Sequence, residues 1–145
     1  MSFAADIEKF ALNASIKSDE LVRKLCTMIT ADLVRATPVG DPKLWKHKAP
    51  KGYVGGLARS SWFFGITPNR EQGTIPDASG SPSTERSLEF SANLKAGGTF
   101  YISNNLPYIE ALEYGHSTQA PSGMARITVA NFQAMVDSAA RAVNP

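Results

Sequence analysis

The stretch Tyr101–Thr128, YISNNLPYIEALEYGHSTQAPSGMARIT, decides how this chain is read. Phe100 and Ile102 end a strand, and Ser103, Asn104 and Asn105 make a polar turn. A short helix then opens at Pro107, because proline has no N–H to leave unpaired in a first helical turn. Asn105 is placed to accept hydrogen bonds from the free N–H groups of that helix. Gly115 stops it, since glycine enters the left-handed region at no steric cost. A Pro-Ser-Gly turn follows and a last helix begins, carrying Met124, Ile127, Thr128, Phe132, Met135, Val136, Ala139 and Val143 at helical spacing over residues 122–143. Turn and cap residues are dense here and none of them is a catalytic type. The sequence describes a surface held in one shape.

Upstream, Phe3, Ile7, Phe10 and Ala14 give a short amphipathic helix over residues 2–14. Ser18 is then expected to cap a second helix, with Asp19 and Glu20 in its first turn, where the helix dipole favours negative charge. Its apolar face is Leu21, Val22, Leu25, Cys26, Ile29 and Leu33, and Thr37-Pro38 ends it. Leu57–Ile66 (LARSSWFFGI) reads as a strand with Trp62 and Phe64 in the core. Leu88, Phe90, Ala92 and Leu94 alternate with polar residues as a second strand. It is joined through Lys95-Ala96-Gly97-Gly98 to a third at residues 99–103, as a hairpin. Two loops separate these elements. Residues 39–56 hold Gly40, Pro42, Pro50, Gly52, Gly55 and Gly56, and residues 67–87 have no periodicity at all. The order predicts one α+β domain over residues 1–145: a small antiparallel sheet packed against a long N-terminal helix and a C-terminal helix, with long loops.

Composition narrows the class. With 43% hydrophobic and 19% charged residues the chain is ordinary for a globular domain. It has no apolar run near the roughly 20 residues of a membrane span, and its N-terminus has early acids and no apolar core of a secretion signal. One cysteine, Cys26, makes no internal disulfide and falls on an apolar helical face. The net charge of +2 is unevenly spread. Residues 41–60 hold Lys43, Lys46, Lys48, Lys51 and Arg59 against the single acid Asp41, with Trp45, His47 and Tyr53 interleaved. Such a loop can grip a nucleic-acid backbone, dock onto an acidic neighbour, or simply be solvated.

Catalytic patterns are weak. Glu110, Glu113 and His116 sit three apart, a spacing used in bundle di-metal sites, but there is no second copy and His116 follows the helix-ending Gly115. The serines have no nucleophile-elbow context, and the glycines form no phosphate-binding loop. No enzyme activity and no cofactor are expected.

Two well-separated motifs carry a resemblance: "TPVGD…GGLARSSW" and "NNLPYIEALEYGHSTQAPSGM". In this order, over residues 21–143, the chain resembles the neck and tail-completion family of head–tail joining proteins of long-tailed phages. The family often runs Thr-Pro-Val straight into Asp-Thr-Gly and a strand, whereas here residues 41–56 interpose a longer, lysine-rich loop. The resemblance implies a structural virion protein at the head–tail junction, made in the host cytoplasm. It would form a homo-oligomeric ring, six-fold by analogy with long-tailed phage tails, that joins connector and tail proteins and touches DNA only in transit. On this view Tyr108, Glu110, Glu113, Tyr114, His116, Ser117 and Gln119 face a neighbour. Lys43, Trp45, Lys46, Lys48, Lys51 and Arg59 would contact DNA or an adjacent ring. Two rivals from other classes are a small DNA-binding module using the basic loop and a metal-dependent hydrolase using Glu110, Glu113 and His116.

Overall fold

The computed structural model describes the backbone of residues 3–144 and the side chains of residues 17–144 other than Leu44. It is α+β. Among the described residues there are five α-helices, α1 Phe3–Ala36, α2 Ser81–Ser91, α3 Ile109–Glu113, α4 Ala125–Ala130 and α5 Phe132–Val143. They accompany one 3-10 turn at Pro42–Leu44 and two strands, β1 Phe63–Gly65 and β2 Tyr101–Ser103. No described helix is long and apolar enough to cross a membrane.

The two N-terminal helices expected from the sequence are one, 34 residues long and about 50 Å from end to end at 1.5 Å per residue. Residues 13–18 are mostly polar but contain neither proline nor glycine, so a helix already formed passes through them at small cost. Ser18 therefore lies inside a helix rather than capping one. Asp19 does a tertiary job instead, accepting the Ala96 N–H at 2.8 Å and holding the turn after α2 against α1. The apolar face proposed for Phe3, Ile7, Phe10 and Ala14 lies outside the described side chains. The helix ends at Thr37-Pro38 as expected, with the Thr37 N–H bonded to the Leu33 carbonyl at 3.0 Å.

The stretch expected to be the second strand is helical. Gly80 (φ +73°) precedes α2 and Pro82 occupies its first turn. Along this helix the buried positions are Ser83, Ser87 and Ser91, four apart, while Leu88 is 58% exposed. Alternating hydrophobicity at 88–94 suggested a strand because the buried face carries hydroxyls instead of hydrocarbon. Ser83 Oγ donates to the Arg59 carbonyl at 2.8 Å and Ser91 Oγ to the Leu88 carbonyl at 3.2 Å, and the Ser87 hydroxyl is the one that meets α1. Thr30 Oγ1 lies 2.8 Å from Ser87 Oγ, and Cys26 Sγ is 3.9 Å from the same oxygen. Burial raises the Cys26 thiol above its ordinary value, against a smaller opposite effect of the Ser87 hydroxyl. Small side chains let the two helices approach closely, so Ser87→Leu should overpack this contact and cost about 1–3 kcal/mol. A lowered urea midpoint at unchanged m-value would show it.

The long strand expected at Leu57–Ile66 is three residues long. Residues 57–60 form a turn in which the Ser60 N–H reaches the Gly56 carbonyl at 3.0 Å. The hairpin expected between residues 88–94 and 99–103 is absent. β2 pairs with β1, antiparallel, with Phe64 opposite Ile102. Leu33, Val34, Trp62, Ala120 and Met124 form the core cluster, with Phe64, Ile102, Ile109 and Leu112 packed on it. Phe90 is half-buried in an aromatic row between Phe64 (6.0 Å) and Phe100 (6.2 Å).

The residue 67–87 excursion is neither free nor wholly a loop. Its last part is the start of α2, and its first part is tied down through its backbone. Asn105 Nδ2 donates to the carbonyls of Asn69 (2.8 Å) and Glu71 (2.9 Å), and Ser60 Oγ donates to that of Asp77 (2.9 Å). Asn105 is thus a loop anchor and not the expected helix cap. The last helix divides at Asn131 into α4 and α5, and its buried positions, Thr128, Met135 and Ala139, follow the stripe read from the sequence.

Candidate partner-binding groove

The 108–119 segment is shaped by three local devices. At the end of α3, Gly115 (φ +85°) donates to Leu112 O at 3.2 Å and His116 N–H donates to Ala111 O at 3.0 Å. This is the left-handed helix ending expected from the sequence.

The second device was not legible. Both Glu113 carboxylate oxygens turn onto the start of α4 and accept the N–H groups of Met124 (2.9 Å), Ala125 (2.9 Å) and Arg126 (3.0 Å). Arg126 Nε adds a bond at 3.2 Å, and its guanidinium also reaches the Glu113 carbonyl. Desolvation, the largest single influence, raises the Glu113 pKa. The hydrogen bonds from Arg126, Met124 and Ala125 together outweigh it, and the carboxyl is held below its ordinary range. A carboxylate in this setting is a helix cap. Gly123 (φ +84°) makes room for it, since a Cβ there would lie 2.4 Å from the Glu113 carbonyl oxygen.

The third device is Gln119. Its amide pairs with the backbone of Val39 in both directions, Val39 N–H to Oε1 at 3.2 Å and Nε2 to Val39 O at 2.8 Å. The end of the basic loop is thereby fastened to the 116–120 turn. The loop also packs on itself. The Trp45 and Tyr53 rings meet edge to face at 4.8 Å, and Tyr53 lies so close over Gly40 that a Cβ there would fall 2.0 Å from its hydroxyl oxygen.

Between loop and turn runs a groove of about 840 Å³. Asp41, Trp45, Lys46, His47 and Tyr53 line it from one side, and Tyr108, Leu112, His116, Ser117 and Gln119 from the other. The two regions singled out in the sequence, far apart in the chain, share one concavity. Desolvation first, and then the neighbouring Tyr53, raise the Tyr108 phenol above its ordinary value.

The sequence-derived residues divide. Tyr108, Glu110, Tyr114 and His116 are exposed, Tyr114 at 75%, with Arg126 5.1 Å over its ring. Ser117 is half-buried and its hydroxyl accepts the Gln119 N–H. Glu113 and Gln119 are engaged within the chain. Lys43, Lys46, Lys48 and Lys51 are exposed, as is Trp45. Arg59 turns inward and donates to the carbonyls of Thr37 (3.0 Å), Ala78 (2.9 Å) and Arg35 (3.5 Å). Glu110, Glu113 and His116 do not converge, and among the described residues no three of His, Cys, Asp or Glu form a metal-ligating group.

Sequence reading missed Gly40, Asp41 and Arg126. Gly40 and Gly55 carried the available signal, a pair of glycines bracketing an aromatic loop. Their backbones approach so closely that a Cβ on Gly55 would lie 2.8 Å from Gly40 O. No protein-family model, curated protein or solved structure matches this chain.

Proposed function

We propose that the chain is a structural virion subunit of a tailed phage, a neck or tail-completion protein. It would assemble as a closed ring between the capsid connector and the tail and leave a channel for DNA. The two quoted motifs bring the idea, and one observation supports it beyond them. The 108–123 ledge is braced from within by Glu113, Gly115 and Gln119, yet presents Tyr108 and Tyr114 outward, 45% and 75% exposed. Rigid, exposed aromatic side chains are the usual anchors of protein contacts, and closed rings bury the same patches on every copy.

Light scattering across concentration should find a discrete oligomer, six-fold by the family analogy, which Tyr114→Asp disperses without changing the far-UV circular dichroism. Joining is the stricter test. The purified chain should restore infectious particles to an extract holding the separate heads and tails of a phage that lacks it, and failure there ends the proposal.

A small DNA-binding module is the second reading, because the four loop lysines are exposed and none forms an ion pair with a described residue. It requires duplex affinity that falls steeply with salt, by a slope of about 0.9 per neutralised phosphate. A connector releases DNA and shows little such affinity.

A further inference from the structure

We infer that the groove between the basic loop and the 108–119 turn is a binding site for an extended acidic segment of a partner protein, one that places a proline or aromatic side chain against Trp45. The inference concerns a foreign ligand in a concave site whose far wall shares Tyr108 with the ledge, and its test turns on Trp45 and Lys46 on the opposite wall.

Charge is the first argument. Lys46 lines the groove together with both histidines of the chain, His47 and His116, while Lys43 and Lys48 flank Lys46 in sequence, all of them exposed. Against these exposed lysines stands Asp41, whose Oδ1 already accepts the Lys43 N–H at 3.0 Å. The site is therefore cationic at its edge, and it complements carboxylates.

Shape is the second argument. Trp45 and Tyr53 make an edge-to-face pair at 4.8 Å, with Tyr108 near Tyr53, and such aromatic-lined grooves suit extended, proline-containing chains. A volume of about 840 Å³ is within the ordinary range of ligand sites. The walls are held before any ligand arrives. Gln119 grips Val39 from the far side, and Tyr53 rests on Gly40, so little ordering is left to do on binding.

Asp41 in the wall can accept a peptide N–H through its second oxygen.

The probe is a fluorescein-labelled synthetic peptide of alternating glutamate and proline with one central phenylalanine, followed by fluorescence anisotropy with the full chain. Saturable binding is expected, and a peptide with lysine in place of glutamate should not bind. Trp45→Ala and Lys46→Glu should each weaken binding by about ten-fold or more, the scale of a lost anchor. Lys95→Glu, the same charge change outside the groove, should leave it unaltered. Both groove side chains are exposed, so circular dichroism should show the variants folded. Absence of saturable binding overturns the inference, as does equal weakening by Lys95→Glu. Tighter binding of a short oligothymidine than of the acidic peptide assigns the groove to nucleic acid instead and overturns it too. Because the measurement does not depend on assembly, a failed ring test leaves its outcome readable.

Discussion

Replacing Glu113 with alanine is expected to destabilise the chain by about 2–4 kcal/mol, because one carboxylate caps three backbone N–H groups at the start of α4. A single cap residue is worth about 0.5–2 kcal/mol, and hydrogen bonds to a charged acceptor about 1.5–3 kcal/mol. The Arg126 contact is half exposed and adds little. Glu113→Gln keeps one acceptor oxygen and should fall between the two. The pH dependence separates charge from packing. The folded-state pKa is depressed below its ordinary 4.5, so the stabilisation is fully present above that value and is lost as pH falls through the folded value. The difference between wild type and Glu113→Gln in urea titrations should therefore be constant near neutral pH and shrink in acid. A difference independent of pH would mean that geometry, not charge, makes the cap.

Trp62→Ala should be more damaging, at about 3–5 kcal/mol, or roughly 10 °C in Tm for a domain of this size. The indole is 6% exposed in the central cluster, its Nε1–H donates to Thr37 Oγ1 at 3.0 Å, and its backbone N–H donates to Ser83 Oγ at 3.1 Å. It thus joins the end of α1, the start of β1 and the serine face of α2. Trp62→Phe fills part of the volume and loses only the hydrogen bond to Thr37, whose hydroxyl still donates to the Leu33 carbonyl. It should cost about 1–3 kcal/mol. Thermal unfolding followed by near-UV circular dichroism gives both values. If the two variants lost equal stability, the hydrogen bond would outweigh the packing.

The misread elements have a common cause. Ser83, Ser87 and Ser91 are buried at helical spacing, but a search for hydrophobic period does not count serine, so Leu88, Phe90 and Leu94 supplied a false period of two. Ser18, Asp19 and Glu20 form a good helix start, and a helix arriving from residue 3 made the signal redundant. Pairing of β1 with β2, rather than a hairpin of neighbours, followed once residues 81–91 were helical and no longer offered a strand edge. At the groove, the sequence singled out both walls and could not join them. The joining contact is Gln119 on Val39, a side-chain amide meeting backbone groups that leave no trace in residue type. Glu113 looked like a surface acid for the same reason, because the N–H groups it satisfies belong to every residue alike.

What the amino-acid order determined by itself was set over a few bonds. Thr37-Pro38 ends α1, Gly115 ends α3, Trp62 and Phe64 are core aromatics, and the last helices bury Thr128, Met135 and Ala139. Proline, glycine and apolar spacing act within one or two turns, where sterics leave few choices. Tertiary structure alone decided which polar groups would be buried together: Thr30 with Ser87, Asp32 with Thr128, Glu113 with the start of α4, and the basic loop with the 116–120 turn. A polar group is stable out of water only when a partner meets it, and the fold determines whether one does.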